Sequence, residues 1–211
     1  MNEERVIRDA LNKYASDYQT KFMDFCLYNE TFDLFCNNIP KANAHILEIA
    51  CGPGNITRYL LQKRPDFKIL GIDIASNMLE LAKANNPKAE FQLMDGRDIS
   101  TLGSKFEAVM CGFCLPYLSK EEASALIQDA ARLLAPRGIL YISTMEDEYG
   151  KSGLKSSSLN EEDKTYTYYH QADYLTAILK KNNFEMINIQ RMDFPDPSGK
   201  KTTDLILLAG L

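Results

Sequence analysis

The stretch HILEIACGPGNITRYL, residues 45 to 60, constrains the fold more than any other part of the chain. A short apolar run carries one acid, Glu48, near its end; Gly52 and Gly54 follow; a helix-like pattern then begins. Glycines at such a turn let the backbone approach a ligand with no Cβ in the way, and the following helix offers unpaired N–H groups to a negative group. This is the layout of a nucleotide-binding turn between a strand and a helix.

From Ile46 onward short apolar runs alternate with longer amphipathic ones, the pattern of βαβ units and a mostly parallel sheet. Strands are predicted at Ile46 to Ala50, Lys68 to Asp73, Glu90 to Met94, Glu107 to Cys111 and Ile139 to Thr144, with helices at Ile56 to Gln62, Asn77 to Asn85 and Lys120 to Leu134. Ser119 and Glu122 form a capping box for the last of these, and "APRG" ends it. Residues 1 to 40 have apolar positions at helical spacing, including Val6, Ile7, Ala10, Leu11 and Tyr14, and read as two or three helices closed by Pro40. Residues 146 to 165 are polar and lack either period, so they read as an exposed loop: a lid, a binding loop or a surface insertion. A helix from Ala172 to Asn182 precedes two β-like runs joined by "PDPSGKK", which predicts an antiparallel final pair.

The 211 residues suit a single α/β domain, 1–211. Its parts are a helical cap over 1–40, a core over 46–145, a lid or substrate loop over 146–170, and a helix and strand pair over 171–211. A charged amino terminus and a late apolar run, LILLAGL, far shorter than the roughly 20 residues that cross a bilayer argue against secretion and membrane insertion. A net charge of −5 with no Lys/Arg cluster beyond pairs argues against nucleic acid. Five cysteines, an odd number lying partly in apolar runs, point to a reducing cytoplasm.

The glycine turn alone does not name its nucleotide. A P-loop would need Lys and a hydroxyl after Gly54, and a dinucleotide fingerprint would need a third glycine, which Thr57 replaces. What remains is three acids at consecutive strand ends: Glu48, Asp73 and Asp95. With these in place the chain resembles the class I S-adenosylmethionine-dependent methyltransferases. The residues that carry the resemblance are ILEIACGPGNIT, ILGIDIASNMLELAK, FQLMDGRDI, FEAVMCGFCLPYL and AARLLAPRGILYIST, in order over about 46 to 145. Ala50 stands where the family usually has its first glycine, a methyl expected to be tolerated, and Arg137 replaces a common glycine in the LLAPRG turn.

The resemblance implies a Rossmann-like α/β fold: a seven-stranded, mostly parallel sheet with an antiparallel last strand and helices on both faces, plus the amino-terminal helices. It implies S-adenosyl-L-methionine as cofactor and S-adenosyl-L-homocysteine as product. Carried over by position, the backbone of Ala50, Gly52 and Gly54 would line the amino-acid end. Glu48 would stabilise positive charge there, Asp73 would accept both ribose hydroxyls, and Asp95 would accept the adenine amino group beside Gly96 and Arg97. Ile74, Met78 and Met94 would sandwich the adenine, and Cys111 would begin the floor.

Methyl transfer needs alignment, exclusion of water and, for a protonated nucleophile, a base. His170, after the aromatic run YTYYH, is the candidate base, or else caps the next helix. His45, at the opposite end of the sheet, reads as structural. Tyr14 and Tyr18, four apart on one helical face, would gate the cofactor, or pack as core. Glu146, Asp147 and Glu148 are a cationic-acceptor face or solvated loop charge, and Phe113, Tyr117, Tyr166, Tyr168 and Tyr169 are candidates for an apolar acceptor pocket. Cys111 and Cys114 have redox spacing without the helix start that a redox pair needs, and the cysteines lack zinc spacing, so no metal is expected. The reading is therefore an enzyme methylating a small molecule at O or N, possibly C, as a monomer or homodimer. The alternatives are a protein-directed methyltransferase, a non-catalytic nucleotide binder and an NAD-linked oxidoreductase.

Overall fold

The computed structural model describes residues 3–156, 164–194 and 202–211. Seven strands form one sheet: β1 (His45–Ile49), β2 (Lys68–Asp73), β3 (Glu90–Leu93), β4 (Phe106–Cys111), β5 (Leu134–Glu146), β8 (Glu185–Phe194) and β9 (Thr202–Gly210). Their spatial order is β3-β2-β1-β4-β5-β9-β8, with β9 antiparallel to both its neighbours and the other pairs parallel. The order reverses between β1 and β4, which opens a crevice at their carboxyl ends, where open α/β sheets bind ligands.

Helices cover both faces. On one, α6 (Lys120–Leu133) and α7 (Ala172–Lys181) bury Leu126, Ile127, Leu175 and Leu179 against Val109, Leu140 and Leu207. On the other, α3 (Asn29–Asn37) and α4 (Asn55–Lys63) bury Phe32, Phe35 and Leu60 against Ile46, Met110 and Tyr141. α5 (Ser76–Asn85) carries Met78 to a third, smaller cluster with Ala15 and, at its margin, Leu11 and Tyr18. Those last three belong to α1 (Glu3–Lys13) and α2 (Ala15–Phe22), which lie over the sheet's carboxyl edge. The capping box of α6 is present in both directions, Glu122 N to Ser119 Oγ at 3.2 Å and Ser119 N to Glu122 Oε2 at 2.8 Å.

One expectation needs correcting. APRG does follow the end of α6, at Leu133, and β5 is entered just before it: Leu134 pairs with Phe106, residues 135–138 form a bulge, and the ladder resumes where Ile139 pairs with Ala108. Residues 146 to 165, however, are not all loop, since β6 (Gly153–Ser156) and β7 (Lys164–Thr167) pair antiparallel, and β7 packs on α1. Four-residue strands with no apolar side carry too little pattern to be read in advance. The PDPSGKK connection lies outside the described residues, whereas the antiparallel pairing it was expected to close is present.

Candidate ligand-binding site

The turn after β1 is built from left-handed backbone. Ala50, Gly52 and Gly54 have φ of 55°, 53° and 79°, a region that costs a residue with a Cβ about 1 to 2 kcal/mol. Thus the departure at Ala50 is paid in backbone conformation as well as in methyl volume. Gly54 starts α4 and faces α5: a Cβ there would meet Asn86 Nδ2 at 2.3 Å, and that amide donates to Gly54 O at 2.9 Å. Gly54 therefore packs two helices together and does not line the crevice, whereas Ala50 and Gly52 do.

Asp73, at the end of β2, faces the same crevice. One carboxylate oxygen accepts from Gly52 N at 2.8 Å and the other from Ala75 N at 2.9 Å, which leaves further lone pairs on each. Burial raises its pKa in spite of amides from Ala75, Gly52 and Ile74. Glu48 sits beneath the turn, fully buried. Its Oε2 accepts from Thr57 Oγ1 at 2.5 Å, its Oε1 has no partner, and burial pushes its pKa up to about 8. Neither acid is held down by a basic side chain: besides burial, the influences on Glu48 are Thr57 and Asp73.

Asp95 is arranged differently. Burial alone would raise its pKa, but Arg97 lowers it through N and Nε to Oδ1, at 2.9 and 3.0 Å, and Nη2 to Oδ2 at 2.5 Å. Arg97 also reaches Glu122 of α6 at 3.0 Å and Glu4 of α1 at 3.3 Å, so one guanidinium joins three elements at the rim. Asp95, Gly96 and Arg97 line the crevice, as do Ile74, Met78 and Met94.

The roof comes from the amino-terminal helices. Glu4, Ile7 and Leu11 line it; their spacing of three and four puts them on one face of α1. That face was legible as a stripe, but the stripe does not say what it covers. Asn12 fixes the roof to α5 by accepting from Asn77 N at 2.9 Å. Tyr18 lines the crevice with its ring over the turn, Cε1 being 3.6 Å from where a Gly52 Cβ would stand. Tyr14 is buried at the α1–α2 junction, outside the lining.

Other candidates are placed elsewhere. Cys111 is fully buried in β4, and the lining is continued instead by Gly112, Phe113 and Cys114, because the chain turns sharply at Phe113, φ 53°. His170 is completely buried and does not line the crevice. Its Nε2 faces the carbonyl oxygens of Leu115 and Leu118 at 2.8 and 3.1 Å, so Nε2 carries the proton and Nδ1 accepts from the Tyr174 hydroxyl. Burial lowers its pKa. Both ring nitrogens are thus engaged in joining the turn Leu115–Tyr117 to α7, and the helix cap is Gln171. Phe113 and Tyr117 line the crevice, whereas Tyr168 packs on Tyr149 and donates to Glu3 at 3.0 Å. Glu146 is matched by Arg191 at 2.5 Å and Asp147 by Lys151 at 2.7 Å. Among the described residues no group of three or more His, Cys, Asp or Glu is placed to hold a metal ion.

Residues 46–138 match the family model described as a methyltransferase domain. A dTDP-3-amino-3,6-dideoxy-alpha-D-glucopyranose N,N-dimethyltransferase of Streptomyces fradiae is 33% identical over 134 residues, 61% of this chain and 50% of that one. Magnesium protoporphyrin IX methyltransferase of Synechocystis PCC 6803, solved with bound SAM, superposes with a TM-score of 0.71 at 20% identity, covering 100% of this chain and 97% of its own. The 1,6-didemethyltoxoflavin-N1-methyltransferase of Burkholderia thailandensis, solved with 1,6-didemethyltoxoflavin and S-adenosylhomocysteine, gives 0.72 at 19% identity over 98% and 87%. The chain spans from 31% to 65% of the length of the curated relatives it matches.

Proposed function

We propose that this chain, which belongs to the class I S-adenosylmethionine-dependent methyltransferases, binds S-adenosyl-L-methionine in the crevice and transfers its methyl group to a small-molecule acceptor at oxygen or nitrogen. One observation carries the reading: two buried carboxylates, Glu48 and Asp73, flank the glycine turn with no base to balance them. A site with that imbalance suits a ligand that brings positive charge and hydroxyl donors.

The residues fit such a ligand. The unpartnered Oε1 of Glu48 would accept from an ammonium, directly or through water. The free lone pairs of Asp73 would accept a ribose diol, a bidentate task suited to a carboxylate. Ile74, Met78 and Met94 supply an apolar slot for the base beside Asp95. When bound, the sulfonium supplies an activated methyl group and a neutral thioether leaving group. The chain's own task is then alignment and exclusion of water, which Tyr18 and the α1 roof would serve. An acceptor would stand against Phe113 and Tyr117. Five free thiols accord with a cytoplasmic enzyme, and a monomer or homodimer completes the reading.

Calorimetry with S-adenosylhomocysteine and label transfer from methyl-labelled S-adenosylmethionine into a metabolite extract test it. Binding and a small labelled product are expected. A labelled polymer would redirect the activity to a macromolecule, and binding without transfer would leave a non-catalytic protein.

A further inference from the structure

Two phenols face the crevice with their hydroxyls unspent. Tyr18 of α2 and Tyr117 of the turn Leu115–Tyr117 both line it, and neither hydroxyl has a hydrogen-bond partner among the described residues. Each ring is fixed from behind. That of Tyr18 packs on Phe22 at 4.6 Å between centroids and has Cε1 3.6 Å from where a Gly52 Cβ would stand. The turn that carries Tyr117 is clamped by His170, whose Nε2 donates to the carbonyl oxygens of Leu115 and Leu118 at 2.8 and 3.1 Å. Tyr168 N adds a bond to Pro116 O at 2.8 Å.

The charges around these hydroxyls say where they stand. Burial raises both phenol pKa values; after it, Tyr18 is pushed up by Tyr117, Asp73 and Glu48 in that order, and Tyr117, at about 12, by Asp73 and then Cys114. Such influence falls with distance, so the two hydroxyls are neighbours, both near Asp73, and Tyr18 stands within the field of Glu48 as well. The sulfur of S-adenosylmethionine joins the ribose, assigned to Asp73, to the amino-acid chain, assigned to Glu48. A hydroxyl within reach of both acids is therefore at the sulfonium end.

The lining charges select the acceptor. Glu4, Asp73 and Asp95 are acids, and Arg97, the one basic side chain of the lining among the described residues, is spent on Asp95, Glu122 and Glu4. A carboxylate acceptor would meet like charge, and a hydroxyl acceptor needs a base, which a phenol held protonated is not. An amine needs neither, because its lone pair attacks directly while its N–H groups donate to the phenol oxygens.

We propose that the Tyr18 and Tyr117 hydroxyls hold the methyl acceptor, and that the acceptor is a primary or secondary amine, with N–H donated to the phenol oxygens and the lone pair aimed at the methyl carbon. This deepens the methyltransferase reading and rests on it. The N–C bond forms from the nitrogen lone pair as the C–S bond breaks with its electron pair left on sulfur. The product nitrogen is then a cation, which the surrounding carboxylates favour, and its extra proton goes to solvent after release.

The test uses the full chain with two variants, Tyr18→Phe and Tyr117→Phe, each of which keeps the ring and removes only the hydroxyl. Methyl-labelled S-adenosylmethionine and a metabolite extract report transfer, and the product is run on a cation exchanger after alkaline treatment. A labelled methylamine, alkali-stable and retained as a cation, is expected. Both variants are expected to melt near the wild-type temperature and to bind S-adenosylhomocysteine within about threefold, while transfer slows about 10-fold or more. Wild-type transfer is expected to rise with pH along one ionisation, that of the acceptor, and the variants to keep its midpoint. Loss of the rising limb in either variant would make that phenol a base and overturn the holding role. The proposal is also overturned if both variants transfer within about twofold of wild type, if S-adenosylhomocysteine affinity falls in parallel with transfer, or if the product is a neutral ether or an alkali-labile ester. Should one variant not fold, the other decides. A wild-type chain that binds S-adenosylhomocysteine but transfers no label overturns the proposal too, whereas one that fails to bind it removes the underlying reading.

Discussion

Asp73 ties the end of the second strand to the glycine turn after the first: its Oδ2 accepts from Gly52 N at 2.8 Å, between two adjacent parallel strands of the sheet. The same carboxylate both shapes the turn and faces the crevice. Asp73→Asn keeps the outline but loses one acceptor and the charge. It is expected to weaken S-adenosylhomocysteine binding about 10- to 100-fold, the range of a charge-assisted hydrogen-bond pair. Titration calorimetry reads this directly, and an unchanged affinity would remove Asp73 from the ligand site.

Glu48 sets a pH dependence whose sign is unambiguous. Burial raises its pKa from 4.5 to about 8 in the folded chain, so between about pH 4.5 and pH 8 the folded state holds more protons than the unfolded one. Its contribution to stability is full below the unfolded value and is lost as pH rises through the folded value, a change on the order of a few kcal/mol. Urea titrations across that window are expected to show stability falling with pH, and Glu48→Gln to flatten the slope. An ammonium-bearing ligand favours the ionised form, so binding near neutral pH is expected to release about one proton. Calorimetry in two buffers of different ionisation enthalpy measures that release, and Glu48→Gln should abolish it.

His170 contributes with the opposite slope. Burial lowers its pKa below the ordinary 6.5. The neutral ring therefore stabilises the fold above about pH 6.5, and this is lost as pH falls and the unfolded chain takes up its proton first. His170→Leu strands two carbonyls and the Tyr174 hydroxyl, at a cost of about 2 to 3 kcal/mol in urea unfolding. S-adenosylhomocysteine affinity is expected to stay at the wild-type level, which a ligand-site histidine would not allow.

Arg137 and Ala50 hold left-handed backbone, φ 64° and 55°. Each changed to glycine removes a Cβ clash, partly offset by the freedom glycine gains in the unfolded chain, for a net gain of about 0.5 to 1 kcal/mol. Thermal melts should rise by about 1 to 4 °C for either variant. No rise at Arg137 would mean that its side chain contributes packing equal to the strain.

The sheet was legible because each parallel strand is a short apolar run bounded by turn residues, and the acids at the ends of β1 and β2 sit where the run length puts them. What the sequence did not carry was direction out of the plane. Cys111 and Cys114 look alike as text, yet only Cys114 reaches the crevice, because the backbone reverses at Phe113. His170 reads as reactive until its ring is seen sealed between two carbonyls and a phenol. The roof from α1 and the pairing of Tyr28 with Asp204, 176 positions apart, depend on contacts that no local period encodes.

The strand between β5 and β8 is supplied by residues 202 to 210, and six of its nine positions are fully enclosed. During synthesis, then, the interior of the sheet must stand open until this segment leaves the ribosome, with β5 and β8 waiting unjoined. Nascent chains halted before residue 202 should remain chaperone clients and protease-sensitive, and a short strand of sequence 202 to 211 supplied in trans is a rational complementing fragment.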